Sequence, residues 1–317
     1  MKNLTVAVLG NHQVSYCTER ELDWTFEHLG HRVLQFQEDQ DRTEQIADQC
    51  FEHDVDLFVY VHTHGWQTPG DISLEEMIKR IKASGATTCG FHLDLYWGLN
   101  VCDHRQDRIG QHPFWKMDYV FTADGGHQEG FRERGVNHYW LPPAVVERGC
   151  GCGRYNPEFD FDVAFVGSKN YHPEYPFRGQ LIDWLEKTYG ERFMRFAGDT
   201  KWGSFREERL NDLYASVKVC VGDSCFAGTP NYWSDRIPET LGRGGFLIHP
   251  AIPGLNYPGL ATYIPGNLDD LKSKIDFYLE HPEMRREMSN QALFWTKIHH
   301  TYTNRVRTML RVMELAE

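Results

Sequence analysis

The sequence predicts an α/β protein made of two Rossmann-like, doubly wound domains that face a central cleft. Three observations lead to this prediction. Short apolar runs alternate with helical stretches in both halves of the chain, which is typical of parallel sheets covered by helices. A segment rich in proline and glycine separates the two halves. The chain has 317 residues, which is enough for two domains of ordinary size, each with its own core.

The first half repeats the order of strand followed by helix. Residues 55–61 form a nearly continuous β-branched and aromatic run, as expected of a strand buried on both faces. In the helix that follows, Ser73 stands at the N-cap and Glu76 at the capping-box position. The predicted strands of this half are residues 5–9, 31–36, 55–61, 86–92 and 119–123, and the predicted helices are residues 19–29 and 73–83.

The alternating pattern breaks at residues 141–158, where prolines and glycines crowd together. We therefore predict one domain over residues 1–145 and a second over residues 158–317, which ends in long helices. The strands predicted in the second half are residues 162–166, 193–197, 218–222 and 246–249, and the helices are residues 179–188, 210–217, 234–241 and a tail from residue 268 onward.

Composition excludes several classes of protein. The 33 lysines and arginines against 45 aspartates and glutamates give a net charge of −12, which argues against a wholly basic nucleic-acid coat. No window approaches the roughly 20 apolar residues that span a bilayer, and residue 1 leads directly into a predicted strand without a signal peptide. The eight cysteines do not form a zinc-site pattern. We expect a cytoplasmic protein without membrane insertion.

The segment from Ser234 to Phe246 carries the most specific chemistry. Ser234 is suited to cap a helix whose first turns carry Arg236 and Glu239, and their i, i+3 spacing places them on one face. A helix N-terminus and an arginine both favour a diphosphate, and a carboxylate one turn later suits the hydroxyls of a ribose. An ordinary surface ion pair is the alternative, but the helix leads through Gly242 into a buried strand, as a ligand-bearing turn does.

The motif Arg236-Ile-Pro-Glu239-x-x-Gly242-x-Gly244-Gly245-Phe246 resembles the donor-binding signature of GT-B glycosyltransferases. The resemblance is specifically to the family 1-like glycosyltransferases of the spore-maturation type, and it extends over roughly residues 160–310. Residues 118–143 resemble, more weakly, glycosyltransferase-like proteins from phage genomes. The resemblance implies a GT-B fold with the acceptor on the first domain and the sugar donor on the second.

The resemblance also implies a nucleotide-diphosphate sugar as co-substrate, with UDP-sugar as the first choice. No permanently bound cofactor and no metal are expected. Arg236 would contact the diphosphate and Glu239 the ribose, while Gly198 would allow close approach of the base. The donor-binding residues implied by the resemblance are Gly167, Ser168, Lys169, Gly198, Ser234, Arg236 and Glu239.

The acceptor half offers Asp94 as a catalytic base. It follows a predicted strand among aromatic residues, and an inverting transferase needs a base to take the acceptor proton. This layout resembles the DNA β-glucosyltransferase of T-even phages. Related retaining enzymes carry a glutamate where this chain has Asn231, which leaves the stereochemistry open. Further acceptor-side candidates, several of which follow predicted strands, are Asn11, His62, His64, His92, Asp124 and His127.

Two other functions stay open at this point. His62 and His64 alternate along the chain, so with a nearby carboxylate they could form the metal site of a hydrolase. A nucleotide-sugar binding module without turnover would keep the same arginine and glutamate but lack a base. The acceptor is equally open between a hydroxymethylated base in DNA, a small metabolite, a glycan and a protein side chain.

Overall fold

The computed structural model describes residues 3–14, 17–63, 65–97, 105–169, 177–225 and 227–315. By its internal contacts the chain divides into unit 1, Met1–Pro142 with Tyr302–Glu317, and unit 2, Pro143–Thr301. The change between units falls at the predicted Pro-Pro break. The predicted second domain, residues 158–317, included the C-terminal helix, whereas the structure assigns that helix to unit 1.

Unit 1 is built on a parallel sheet. In the described part of the chain this sheet has six strands in the order β2-β1-β3-β4-β5-β6. The buried strands are rich in β-branched and aromatic residues, as the sequence predicted for a sheet covered on both faces. The strands are β1 (Thr5–Gly10), β2 (Arg32–Gln37), β3 (Leu57–Tyr60), β4 (Thr87–His92), β5 (Tyr119–Thr122) and β6 (His138–Trp140).

The helices of unit 1 cover this sheet with short apolar faces. In the third of them, Met77, Ile78 and Ile81 are buried, and the Ser73 hydroxyl accepts a hydrogen bond from the Glu76 amide at 3.1 Å, which confirms the predicted N-cap. The helices are α1 (Thr18–His28), α2 (Thr43–Glu52), α3 (Leu74–Ala83), α4 (Arg105–Arg108) and α5 (Gln128–Glu133).

Unit 2 repeats the architecture on a smaller scale. Its parallel sheet has the order β11-β10-β9-β7-β8 among the residues described. The strands are β7 (Val163–Val166), β8 (Phe193–Phe196), β9 (Val219–Val221), β10 (Leu247–Pro250) and β11 (Ala261–Tyr263). The helices are α6 (Phe177–Tyr189), α7 (Glu207–Ser216), α8 (Arg236–Gly242), α9 (Leu268–Glu280) and α10 (Pro282–His299).

The last helix, α11 (Tyr302–Val312), returns to unit 1 and packs against α1. Its buried face includes Val306, Met309 and Leu310. These apolar side chains explain the assignment, because α1 presents the apolar side chains of Leu22 and Phe26, which are buried as well. None of the described helices combines the length and apolarity needed to cross a membrane.

The strand order fixes where ligands are expected to bind. In each sheet the chain runs first to one side of the opening strand and then to the other, so the order reverses between β1 and β3 and between β7 and β9. In open α/β sheets, ligands bind beyond the carboxyl ends of the strands at such a switch point. The residues that follow these four strands are therefore the expected ligand contacts.

Candidate functional site

Arg236 lies at the switch point of unit 2. Its Nε donates to the Val166 carbonyl at the end of β7 at 3.1 Å, and its Nη1 donates to Oδ1 of Asp223, just beyond β9, at 2.6 Å. The guanidinium also lies over the Phe165 ring, with 4.7 Å from Cζ to the ring centroid. Only 11% of the side chain is exposed. Arg236 is therefore held in place across two neighbouring strands before any ligand binds.

Asp223 is shared by two arginines. Its Oδ2 accepts a hydrogen bond from Nε of Arg178 at 2.6 Å, while Oδ1 faces Arg236, and the carboxylate is fully buried. Burial opposes ionisation, but the two guanidinium groups outweigh it and lower the pKa of Asp223 below its ordinary value. The two guanidinium groups and the Asp223 carboxylate together carry a net positive charge at the carboxyl end of β7 and β9. Such a site favours an anionic ligand.

Gly167 sits against the Arg236 guanidinium. Its φ of +141° lies in a region that L-amino acids with side chains rarely adopt, and a Cβ placed on it would lie 2.8 Å from Nη2 of Arg236. A side chain at this position would therefore strain the backbone and displace the arginine. The structure thus brings together two residues that the sequence predicted for the donor site.

We expect Gly167→Ala to destabilise the protein more than Gly151→Ala, measured as the free energy of unfolding in urea. Gly151 has a similar φ of +156°, but nothing lies within 4 Å of its missing Cβ, so it controls for backbone strain alone. That strain costs on the order of 1–3 kcal/mol. The clash with Arg236 should add about 1–3 kcal/mol in Gly167→Ala. Equal losses in the two variants would show that Arg236 does not depend on the space at Gly167.

Glu239 takes a different partner from Arg236. Its Oε2 accepts a hydrogen bond from Nε of Arg243 at 2.9 Å, one turn further along α8, and 21% of its side chain stays exposed. Burial raises the pKa of Glu239 despite the neighbouring Arg243. Arg243 is anchored in turn by the Asn211 side chain at 2.6 Å. The carboxylate is thus fixed in direction, and the exposed fraction leaves it accessible to a polar ligand.

The remaining donor-side candidates have fewer contacts that point to a ligand. Lys169 forms an ion pair with Asp183 on α6, so part of its charge is already neutralised. Gly198 is exposed just beyond β8. The helix predicted to begin at Ser234 begins at Arg236 instead, and Asp235 takes the N-cap position. Ser234 still contributes, because its hydroxyl accepts a hydrogen bond from the Arg236 amide at 3.3 Å.

A buried histidine lies on the next strand of this sheet. His249 is fully buried on β10, and burial lowers its pKa to about 4, so the ring is neutral near pH 7. Its Cδ2 would lie 2.7 Å from a Cβ on Gly222, which precedes Asp223. A neutral ring here adds no third cation to the two arginines that share Asp223.

In unit 1, a set of hydrogen-bonded side chains lies at the carboxyl ends of β2 and β3, next to the switch point. His62 follows β3, and its Nδ1 lies 2.5 Å from Oε1 of Glu38, the residue that follows β2. The Tyr60 hydroxyl donates to the same oxygen at 2.6 Å, and the Thr63 amide donates to Oε2 at 2.7 Å. Glu38 is fully buried, while 11% of the His62 side chain is exposed. Sequence reasoning missed Glu38, although its place directly after a strand was a usable signal.

His62 also lines a cavity of about 530 Å³ within unit 1. The walls are aromatic, and the polar side chains of Gln67, Arg108 and Gln111 lie in exposed positions. This volume is in the range of ordinary small-molecule sites. The described residues that line the cavity are His62, Gly65, Trp66, Gln67, Tyr96, Arg108, Gln111, His112, Phe114 and Trp115.

Asp124, predicted as an acceptor-side residue, accepts hydrogen bonds from the backbone instead. It is fully buried, and its two carboxylate oxygens accept hydrogen bonds from the amides of Tyr96 and Trp97, both at 2.8 Å. Thr122 donates to the same carboxylate at 3.3 Å. A carboxylate engaged in this way fixes the loop after β4 and is not exposed to an acceptor.

The other acceptor-side candidates lie at or near the carboxyl ends of strands. Asp94 is half-buried, and its amide donates to Nδ1 of His92 at 3.1 Å. Asn11 accepts a hydrogen bond from the Gln13 amide in the turn after β1. His127 stacks on Trp97, with 6.0 Å between ring centroids. His64 lies outside the described residues, so its predicted role stays a prediction.

A metal centre finds no support in the part of the chain that the structure describes. There, no group of three or more histidine, cysteine, aspartate or glutamate side chains is arranged to hold an ion. The contact of His62 with Glu38 is a hydrogen bond within a network that Tyr60 and Thr63 complete. A protein group, Glu38, thus engages Nδ1 of His62.

Comparisons with known proteins agree with this architecture. Residues 160–311 match the protein-family model described as glycosyl transferase-like. A comparison with curated protein sequences finds no match. Anabaena Alr3699/HepE, solved in complex with UDP and glucose, is similar over 99% of this chain and 100% of its own, with 10% identity and a TM-score of 0.62.

Two further solved structures show the same likeness. Sucrose-phosphate synthase from Thermosynechococcus elongatus is similar over 99% of each chain, with 10% identity and a TM-score of 0.62. An alpha-glucosyltransferase solved with UDP-glucose and DNA containing an abasic site covers 99% of this chain and 100% of its own, with 10% identity and a TM-score of 0.64. The fold is GT-B.

The predicted fold class is therefore confirmed. The family model matches residues 160–311, and the solved structures share the GT-B fold over nearly the whole chain. The match begins just before β7 and extends into α11, so it includes Gly167, Asp223, Arg236 and Glu239. The finer resemblances, to spore-maturation-type proteins and to proteins of phage genomes, stay predictions.

Proposed function

We propose that the protein transfers a sugar from a nucleotide-diphosphate sugar, with UDP-sugar as the first choice, to an acceptor hydroxyl. The observation that carries this proposal is Arg236, fixed between the Val166 carbonyl and Asp223 at the switch point of unit 2. A guanidinium held in advance loses little freedom when it binds a diphosphate, and the net positive charge of the site favours that anion. The UDP in the Anabaena Alr3699/HepE structure and the UDP-glucose in the alpha-glucosyltransferase structure agree with this choice of donor.

The other donor contacts follow from the same arrangement. Gly167 leaves room for Arg236, and Ser168 and Lys169 continue the loop after β7, where a phosphate or the sugar would lie. Glu239, directed by Arg243 and partly exposed, would accept hydrogen bonds from the ribose hydroxyls. Gly198 beyond β8 would permit close approach of the base. We propose further that no bound metal takes part in the reaction.

The test is a calorimetric titration of the protein with UDP, GDP, ADP and UDP-glucose, repeated in excess chelator. We expect selective binding of one nucleotide, unchanged by the chelator. Glu239→Ala should weaken that binding about ten- to a hundredfold, because a hydrogen bond to a charged group contributes roughly 1.5–3 kcal/mol. Glu239→Gln keeps an acceptor for Arg243, so its nucleotide affinity should lie between that of the natural protein and that of Glu239→Ala.

Glu283→Ala is the matched control for the glutamate substitution. Glu283 lies in the same unit, 80% of its side chain is exposed, and it pairs with Arg286 on the surface of α10. Its removal should leave nucleotide affinity unchanged. Absence of binding by every nucleotide diphosphate would overturn the proposed function. Normal binding by Glu239→Ala would remove Glu239 from the site while leaving the donor assignment to Arg236.

A further inference from the structure

We propose that His62, oriented by the buried Glu38, is the catalytic base of the transfer, and that the acceptor is a small pyranoside bound in the aromatic cavity of unit 1. This inference rests on the proposed function, because it concerns the acceptor half of the same reaction. It replaces Asp94 as the predicted base.

The pairing with Glu38 gives His62 the form that a base needs. Nδ1 of His62 is 2.5 Å from Oε1 of a carboxylate that is fully buried. In the neutral tautomer that donates from Nδ1 to this carboxylate, Nε2 on the opposite side of the ring is the atom that can accept a proton. His62 lines the cavity, whereas Glu38 does not. The carboxylate would also stabilise the imidazolium that forms when Nε2 takes a proton.

The neighbours of His62 keep this arrangement in place. Burial, with a smaller contribution from Glu38, raises the pKa of Tyr60, so its hydroxyl remains a donor to Oε1. His112 stacks on His62 with 4.3 Å between ring centroids and 13° between ring planes. Burial lowers the pKa of His112 to about 4, so near pH 7 the stacked ring is neutral and does not repel a protonated His62.

The cavity lining indicates the class of acceptor. Tyr96, Phe114 and Trp115 are buried, and Trp66 is half-buried, so the walls present flat apolar faces. The C–H faces of a sugar ring pack well against such faces. Gln67 and Gln111 occupy exposed positions, where their amides can donate to and accept from hydroxyl groups. Aromatic walls with a few polar groups are the usual lining of a site for a small molecule.

The ion pairs around α3 argue against this helix as a binding surface for a long polyanionic acceptor such as DNA. Binding of duplex DNA needs several cations free to neutralise phosphates. The lysine and arginine cluster on α3 is instead neutralised within the protein: Arg80 pairs with Glu76 at 3.1 Å, and Lys82 pairs with Asp118 at 2.8 Å. Lys116 pairs with Glu75 at 3.0 Å. These ion pairs reduce the positive charge that α3 and Lys116 could offer to a DNA backbone.

The proposed step is a single displacement. The acceptor oxygen loses its proton to Nε2 of His62 and forms a bond to the anomeric carbon of the donor sugar. The bond between that carbon and the phosphate oxygen breaks, and the nucleotide diphosphate leaves with the electron pair. The anomeric configuration inverts as a result.

The experiment uses UDP-glucose as donor, with methyl β-D-glucopyranoside, methyl β-D-galactopyranoside and methyl α-D-mannopyranoside as acceptor probes. Release of UDP measures turnover, and proton NMR of the product gives its anomeric configuration. Tryptophan fluorescence, to which Trp66 and Trp115 in the cavity contribute, measures glycoside binding separately. A duplex containing 5-hydroxymethylcytosine is the competing acceptor. UDP affinity is measured on every variant by calorimetry.

We expect at least one glycoside to bind and to accelerate UDP release, with inversion at the anomeric carbon. His62→Gln should lower turnover by about 10²- to 10⁴-fold, the usual contribution of general base catalysis, without changing UDP affinity. Added imidazole should partly restore turnover in His62→Gly, which a purely structural role of His62 would not allow. Glu38→Gln should lower kcat with little change in the KM for the glycoside. His28→Gln, at an exposed position in unit 1, should be without effect.

The outcomes separate this inference from the proposed function. If no nucleotide diphosphate binds, both are overturned. If the donor binds and Asp94→Asn abolishes turnover while His62→Gln spares it, the base is Asp94 and the assignment to His62 is overturned. If the duplex accelerates UDP release more than any glycoside, or no glycoside binds, the acceptor class is overturned while the donor site stands. Retained anomeric configuration would contradict the displacement.

Discussion

Arg236→Ala is expected to reduce the affinity for a nucleotide diphosphate by about ten- to a hundredfold or more, because charge-assisted hydrogen bonds contribute roughly 1.5–3 kcal/mol each. The substitution removes those donors, and it also changes the charge of the site. With Arg236 gone, Asp223 and Arg178 remain as a neutral pair. The positive potential that attracts the diphosphate is lost together with its hydrogen bonds.

Two further variants divide this effect into its parts. Arg236→Lys keeps the positive charge. However, a lysine has no planar guanidinium, so it cannot donate to Val166 and Asp223 while also presenting a planar face to the ligand. We expect it to bind more tightly than Arg236→Ala and more weakly than the natural protein. Arg286→Ala removes an exposed arginine from the same unit and should bind normally. Calorimetry on the four proteins, with thermal unfolding as a check on folding, measures the difference.

An affinity of Arg236→Ala equal to that of Arg286→Ala would contradict the donor site as described. The role of Arg236 would then be structural, as a clamp between β7 and β9. The two roles differ in their thermal readout, because a clamp without a ligand function would lower the unfolding temperature without changing affinity. The partial exposure of the guanidinium, 11%, is the feature that favours the binding role.

The sequence predicted the parts of the fold that depend on local pattern. The capped helix α3 and the apolar strands of both sheets could be read from residue types alone, because their burial repeats with the period of the element. Helix α2 was missed, since its buried face consists of only Thr43, Ile46, Ala47 and Cys50 in an otherwise polar stretch. The short strand β6 was missed because three residues carry too little pattern.

The sequence predicted the site residues that stand close together in the chain. It did not predict those that come from distant parts of the chain. Arg236 and Glu239 stand within one short segment, so their chemistry could be recognised. Asp223, which fixes Arg236, and Glu38, which fixes His62, come from other strand ends, and only the strand order brings them together. For the same reason periodicity predicted helix α11 but not the unit on which it packs.

Asp223→Ala is expected to cause the largest loss of stability of any single substitution considered. It leaves Arg178, which is 9% exposed, and Arg236 as two inward-facing cations without their shared carboxylate. Removing one partner of a buried ion pair usually costs about 3–5 kcal/mol, since the remaining charge is uncompensated. Here a single carboxylate serves two arginines, so the upper end of that range is expected.

The measurement is urea unfolding followed by circular dichroism, with Asp183→Ala as the matched control. Asp183 also pairs with a cation, Lys169, but 62% of its side chain is exposed. Solvent screens such a pair, so its removal should cost less than about 1 kcal/mol. Asp223→Asn, which keeps the shape and one acceptor oxygen, should lie between the two.

Binding of a nucleotide diphosphate is also expected to change the stability of Asp223→Ala. If the anion binds between Arg178 and Arg236, it should supply the negative charge that Asp223→Ala lacks and restore part of the lost stability. Saturating UDP should therefore raise the urea midpoint of Asp223→Ala more than that of Asp183→Ala. An unfolding midpoint of Asp223→Ala equal to that of the control would mean that the two arginines find water or other acceptors. In that case the net positive charge would not be what fixes the anion at this switch point.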